Sequence, residues 1–133
     1  MPIRTRTERN KGFYDEKAER MGRTERAALK EKEALRAFQY AYDHAPGYKN
    51  FLQEREVNPK TVISGGDFSR LPVLKKNRMP EFHHAAPPFG GFLAVPVEKL
   101  KRIYISPGPI YDPEGRKEDY WGLRKCVYNV GFR

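Results

Sequence analysis

The sequence predicts a mixed α/β fold in which N-terminal helices precede a short strand pair and a strand–loop–helix unit. Three observations carry that prediction. Apolar residues recur at helical spacing between Thr24 and Pro46. Two compact runs rich in β-formers, Phe92–Val95 and Arg102–Ile105, come later. The loop I-S-P-G-P-I-Y-D-P-E-G-R then separates the second run from a further helical pattern. A chain of 133 residues suffices for one modest domain or for part of a larger one.

Residues 1–12 are polar, charged and aperiodic, which predicts a mobile tail and leaves 13–133 as the folded region. Glu16 with Arg20, and Glu19 with Arg23, are spaced to pair on a short helix beside Asp15. Thr24 then reads as a cap, with Glu25 in the favourable first turn. Ala28, Leu35, Phe38, Tyr42 and Ala45 form one apolar stripe, and Pro46 stops the helix. A second helical stretch, Tyr48 to about Arg55, offers Tyr48, Phe51 and Leu52 on one face. At this spacing the aromatics Phe38, Tyr42, Tyr48 and Phe51 are expected in the core.

Asn58-Pro59 and Ser64-Gly65-Gly66-Asp67 carry turn chemistry, so an irregular path is expected to Leu71-Pro72, with a helical turn over Lys75–Phe82. Near the end, Asp119 is placed to cap a helix containing Tyr120, Trp121, Leu123, Val127 and Tyr128, ending near Gly131. One strand and one following helix leave an apolar face uncovered, the pattern of the opening of a larger α/β domain. Self-association through that face is therefore expected, and sedimentation would reveal it.

Twenty-six Lys and Arg against seventeen Asp and Glu give a net charge of +9, which attracts polyanions without choosing among them. Bases and acids are interleaved along the chain, and zinc-finger and RNP patterns are absent, so no specific nucleic-acid partner is expected. No apolar run approaches the ~20 residues of a membrane span. The single cysteine, Cys126, has no internal disulfide partner, and the opening M-P-I-R-T-R-T-E-R-N has no apolar signal region behind it. These features lead to the expectation of a cytoplasmic protein without a membrane partner.

A glycine-containing loop between strand and helix is where open α/β proteins hold phosphates. Here Pro107 and Pro109 remove N–H donors from such a loop, so the residues alone favour a proline-rigidified turn. Adjacent histidines point different ways, and no cysteine or carboxylate pattern completes a metal site, so His83-His84 reads as a solvated loop pair. His44 sits where an imidazole meets the orphan carbonyls of a helix end. Cys126 reads as a packing residue with no base beside it.

The run H-A-P-G-Y-K-N-F (His44–Phe51) is followed by L-P-V-L-K-K (Leu71–Lys76) and by P-P-F-G-G-F-L-A-V-P-V-E-K-L-K-R-I-Y-I-S (Pro87–Ser106). In that order they resemble the N-terminal region of the phenylacetate–CoA ligases and their relatives among the AMP-forming acyl-CoA synthetases. The resemblance covers about residues 13–133. It implies the opening of the large N-terminal domain of an adenylate-forming enzyme, and a fragment that is inactive alone, since family members are several times longer.

The family chemistry so implied joins an aromatic or other carboxylic acid to ATP as an acyl-adenylate, then passes the acyl group to coenzyme A, with Mg²⁺ in attendance. Its phosphate loop corresponds here to Ser106, Gly108, Gly115 and Arg116. Pro107, Pro109 and Ile110 replace a serine and two threonines, and Tyr111–Glu114 look inserted, with Asp112 and Glu114 bringing negative charge toward the phosphates. Lys76 ends the family's Leu-Pro-x-x-x-Lys pattern and, with Lys75, is read as structural or surface. The family's catalytic lysine and its metal and adenine ligands fall outside this sequence, so no catalytic or metal residue is assigned. The alternative is a small basic, non-catalytic binding module with a degenerate nucleotide loop.

Overall fold

The computed structural model describes residues 12–130. The expected tail, apart from Gly12, and the expected helix end near Gly131 lie outside the described residues. The chain divides into two compact units, Ala28–Arg116 and the segments on either side of it.

In the flanking unit, helix α1 (Glu16–Arg20) forms because Asp15 caps it, its carboxylate accepting from the Ala18 N–H at 3.0 Å. Arg20 pairs with Glu16 at 3.1 Å as the spacing predicts. Glu19 does not pair with Arg23. Its carboxylate turns back to accept from the N–H groups of Tyr14 and Asp15, which one turn of helix leaves without partners. Tyr14 meets Tyr128 edge to face, with ring centres 5.5 Å apart.

Helix α2 (Arg23–His44) belongs to the central unit from Ala28 onward. It starts one residue before Thr24, which therefore lies inside the helix instead of capping it, and Gly22 supplies the carbonyl for the first turn. The stripe is apolar only toward its C-terminal half. Ala28 is exposed, Leu35 and Tyr42 are half-buried, and Phe38 is buried. Pro46 ends α2 and also opens α3 (Pro46–Gln53), where its missing N–H costs nothing at the first position.

Phe38, Phe51 and Leu52 form the buried centre, with Tyr42, Tyr48, Phe68, Phe82 and Phe92 packed around it. The expected aromatic core is thus present. Between Asn58 and Arg70 the turn residues build two short 3₁₀ helices, Pro59–Thr61 and Gly65–Arg70. Asn58 caps the first, and Asp67 accepts from the N–H groups of Ile63 and Ser64 at the second. The Gly65 N–H reaches Glu31 of α2 at 2.6 Å, which fastens this irregular stretch to the long helix.

A 3₁₀ turn, Lys76–Arg78, leads into α4 (Met79–Ala85). Both histidines lie on this helix, not in a loop. His84 is exposed, while His83 is 6% exposed and packs against Tyr111 at 5.4 Å and Phe89 at 6.4 Å. The expectation of a solvated pair fails because two residues adjacent on a helix face about 100° apart, so one can enter the core while the other meets water.

After α4 the turn at Phe89-Gly90-Gly91 folds back onto the start of α3. The Gly47 N–H donates to the Gly91 carbonyl at 2.8 Å, and Gly90 and Gly91 adopt φ of 63° and 72°, which suit glycine. A Cβ on Gly47 would run into the Gly90 carbonyl oxygen, and one on Gly91 would stand 2.8 Å from the Gly47 nitrogen. Two motifs more than forty residues apart in the chain therefore meet backbone to backbone.

The expected strand at Phe92–Val95 is irregular. Its apolar residues serve packing instead of sheet: Phe92 lies 5.1 Å from the ring of Phe82, and the Ala94 carbonyl accepts from the Tyr40 hydroxyl at 3.3 Å. The strand pair is formed by β1 (Leu100–Ile105) and β2 (Tyr111–Gly115), antiparallel, and the mixed α/β class stands with this different partner.

Helix α5 (Leu123–Asn129) follows β2 after an intervening turn. Gly122, not Asp119, holds the cap position; the Asp119 carboxylate, three residues earlier, still accepts from the Arg124 N–H at 3.1 Å, and Tyr120 and Trp121 lie in the turn before the helix. No helix among the described residues is long and apolar enough to cross a membrane.

Candidate functional site

The loop singled out in the sequence closes a β-hairpin and does not join a strand to a helix. Ser106 donates its N–H to the Ile110 carbonyl at 3.0 Å, which leaves Pro107, Gly108 and Pro109 as an exposed tip. The prolines stand where no ladder partner is needed, and a Cβ on Gly108 would meet nothing within 4 Å. Beneath the tip, Ile110 is buried at 8% exposure and anchors the turn. The Ser106 Oγ is buried and without a hydrogen-bond partner among the described residues.

Residues Tyr111–Glu114, which look like an insertion in the sequence, are most of β2. The register pairs Ile105 with Tyr111, Tyr104 with Asp112, Ile103 with Pro113 and Arg102 with Glu114, and it is interrupted between Leu100 and Arg102. Pro113 is tolerated because a two-stranded ribbon consists of edges alone.

The four loop residues named from the sequence do not converge. Ser106 and Gly108 lie at the tip, whereas Gly115 pairs with Leu100 at the other end, with Arg116 next to it. A strand rise of about 3.4 Å per residue sets Gly115 roughly 14 Å from Tyr111 at the tip end.

Glu114 is not a free negative charge directed at the tip. Its side chain is 7% exposed and accepts from Tyr104 Oη at 2.8 Å, with Lys101 Nζ at 3.1 Å and Arg102 Nε at 3.2 Å. The Tyr104 hydroxyl first, then Lys101 and Arg102, outweigh burial and hold the Glu114 carboxyl below its ordinary 4.5, while the same bond to Glu114 pushes Tyr104 up. Sequence inspection missed this cluster. The available signal was an acid opposite two bases on adjacent strands, which appears only once the register is known.

A pH dependence follows. Because the folded pKa of Glu114 is depressed, its ionised form stabilises the fold above the unfolded pKa, and that contribution is lost as pH falls through the folded value. Glu114→Gln is expected to lower the urea midpoint clearly near neutral pH and to match the parent in strong acid. Equal midpoints at both ends would show that the cluster adds nothing.

Other residues fall as follows. Cys126 is exposed, with its Sγ 3.9 Å from the Gly122 carbonyl, and so does not pack as expected. His44 is exposed, its ring edge-on to Tyr40 at 4.4 Å. Lys76 lies on the rim of a cavity of about 360 Å³ that also takes in His83 and β2 residues Tyr111–Pro113. Among the described residues no group of three or more His, Cys, Asp or Glu is arranged to hold a metal ion.

No family model matches the chain. Phenylacetate-coenzyme A ligase of Thermus thermophilus is 33% identical over 101 residues, which is 76% of this chain and 22% of that protein. The enzyme of the same name from Aromatoleum evansii is 29% identical over 98 residues, 74% of this chain and 21% of its own. The structure of 2-hydroxyisobutyryl-CoA ligase in the postadenylation state, in complex with R3-HIB-AMP, matches at a TM-score of 0.71 and 29% identity, covering 87% of this chain and 23% of that one. An open conformation of that ligase in complex with 2-HIB-AMP and CoA matches at the same TM-score and identity.

This is a phenylacetate–CoA ligase-like chain of the adenylate-forming class. It matches the N-terminal region of such a ligase and spans about a fifth of the curated relatives' length. In this chain, Gly47, Gly90 and Gly91 have a shared physical purpose: they let the start of α3 and the turn after α4 meet.

Proposed function

We propose that the protein to which this sequence belongs is an acid–CoA ligase. It activates an aromatic or related carboxylate with ATP through an acyl-adenylate and transfers it to coenzyme A. The observation that carries this reading is the match, over 87% of the chain, to a ligase holding an acyl-AMP and CoA.

A carboxylate oxygen attacks the α-phosphorus and pyrophosphate leaves. The coenzyme A thiol then attacks the acyl carbon, and AMP leaves with the bonding electrons. The task of this chain is positioning. We assign the hairpin tip to the ATP phosphates: its backbone is open at Gly108, and the Ser106 hydroxyl, buried and without a partner among the described residues, turns outward to meet them when the nucleotide binds. Gly115 and Arg116 close the far end of the ribbon. Mg²⁺ would ride on the nucleotide, for which these residues provide no cluster of acids. No residue of 1–133 is given a catalytic role, and the chain assayed alone is expected to be inactive.

A second reading, a basic non-catalytic binding module, is favoured by the two prolines at the tip and by the distance of Arg116 from Ser106. Pyrophosphate release by the protein from the uninterrupted reading frame separates the two. With ATP, Mg²⁺, coenzyme A and a panel of aryl and short-chain acids, acid-dependent release is expected. In Ser106→Ala the KM for ATP should rise about tenfold, the worth of one hydrogen bond to a charged group. Silence across the panel in a folded protein would leave the binding module as the reading.

A further inference from the structure

Two titratable side chains are buried among the described residues, His83 and Glu114, and only the imidazole of His83 lacks a hydrogen-bond partner. It makes no hydrogen bond among the described residues; its Nδ1 is enclosed, which leaves Nε2 as the nitrogen a bound molecule can reach. An unpaired buried polar group is costly, and native folds keep few without a ligand, a water or a use. His83 also lines the cavity of about 360 Å³ beside β2, a volume within the ~300–1,000 Å³ of small-molecule sites. The walls include Met79, Phe89, Phe92 and Tyr111, which favour a flat ring.

We propose that this cavity binds a small single-ring aromatic alcohol of the phenol class, its hydroxyl bonded to the imidazole of His83. Three features select that chemistry. Burial, which outweighs the pull of Asp112, holds His83 below the usual histidine range, so the ring is neutral, with one donor and one acceptor nitrogen. A hydroxyl both donates and accepts, and so satisfies either tautomer, whereas a carboxylate only accepts and an ammonium only donates. The rim carries one base, Lys76, and one acid, Asp112, and so gives no net preference for an ion.

The test is an NMR titration of the full chain, following the His83 and Tyr111 ring signals with phenol, toluene and benzoate as probes. Saturable phenol binding is expected, about tenfold tighter than toluene, a gap equal to one hydrogen bond, with benzoate no tighter than toluene. In His83→Phe the affinity for phenol should fall to that for toluene. Leu93→Trp, which fills the cavity and leaves His83 in place, should abolish binding of both. Equal affinity for phenol and toluene in the parent, or no saturable binding to a chain with dispersed signals, overturns the proposal. Neither outcome touches the ligase reading, which is tested by pyrophosphate release.

Discussion

Gly47→Ala is expected to destabilise the central unit by about 3 kcal/mol, the upper part of the range for forcing atoms into a packed site. The added Cβ would overlap the Gly90 carbonyl oxygen and stand 2.8 Å from the Gly91 carbonyl carbon. Both obstacles are backbone, so no side-chain rotation relieves them. Any retreat of the turn also breaks the 2.8 Å bond from the Gly47 N–H to the Gly91 carbonyl. Gly22→Ala is the control: it lies ahead of α2 with nothing within 4 Å of the new Cβ, and should change stability by no more than about 0.5 kcal/mol. Urea unfolding of both variants decides the matter. A Gly47→Ala midpoint indistinguishable from that of Gly22→Ala would mean that the close approach of motif to motif is not required.

Leu52→Ala should cost about 4 kcal/mol, since Leu52 is 0% exposed at the centre of the Phe38–Phe51 cluster and its removal leaves a cavity that aromatic neighbours collapse into poorly. Leu29→Ala is the contrast. That leucine sits on α2 but is 44% exposed, so its truncation should register about 0.5 kcal/mol or less. For a domain held together by only 5–15 kcal/mol in total, the first change should empty much of the folded population near body temperature. Similar losses from the two leucines would contradict the placement of the core.

The helices were readable in the chain because their signals are local. Asp15, the apolar spacing at Leu35, Phe38 and Tyr42, and Pro46 each act within a turn or two, and the elements appeared where those residues put them. Even there, Thr24 does not cap, and Ala28 at the head of the apolar stripe is exposed, because an amphipathic pattern does not say where along a helix its partner begins. The hairpin was misread for a stronger reason. Phe92–Val95 has strand composition but packs on Phe82, while Tyr111–Gly115, with a proline and two acids, has poor composition and forms the strand. Pairing to β1, with Glu114 gathered in by Lys101, Arg102 and Tyr104, overrode propensity.

By itself the sequence determined the order of the helices, the aromatic core and the ligase kinship, since these rest on periodicity, capping and short motifs that act over a few residues. Tertiary structure alone decided that the proline loop is a hairpin tip, that Ser106 and Arg116 lie at opposite ends of it, and that His83 is buried in a cavity wall. Each of these depends on which distant segment supplies the partner, and the free energy of such a contact is a property of the pair, written in neither segment alone.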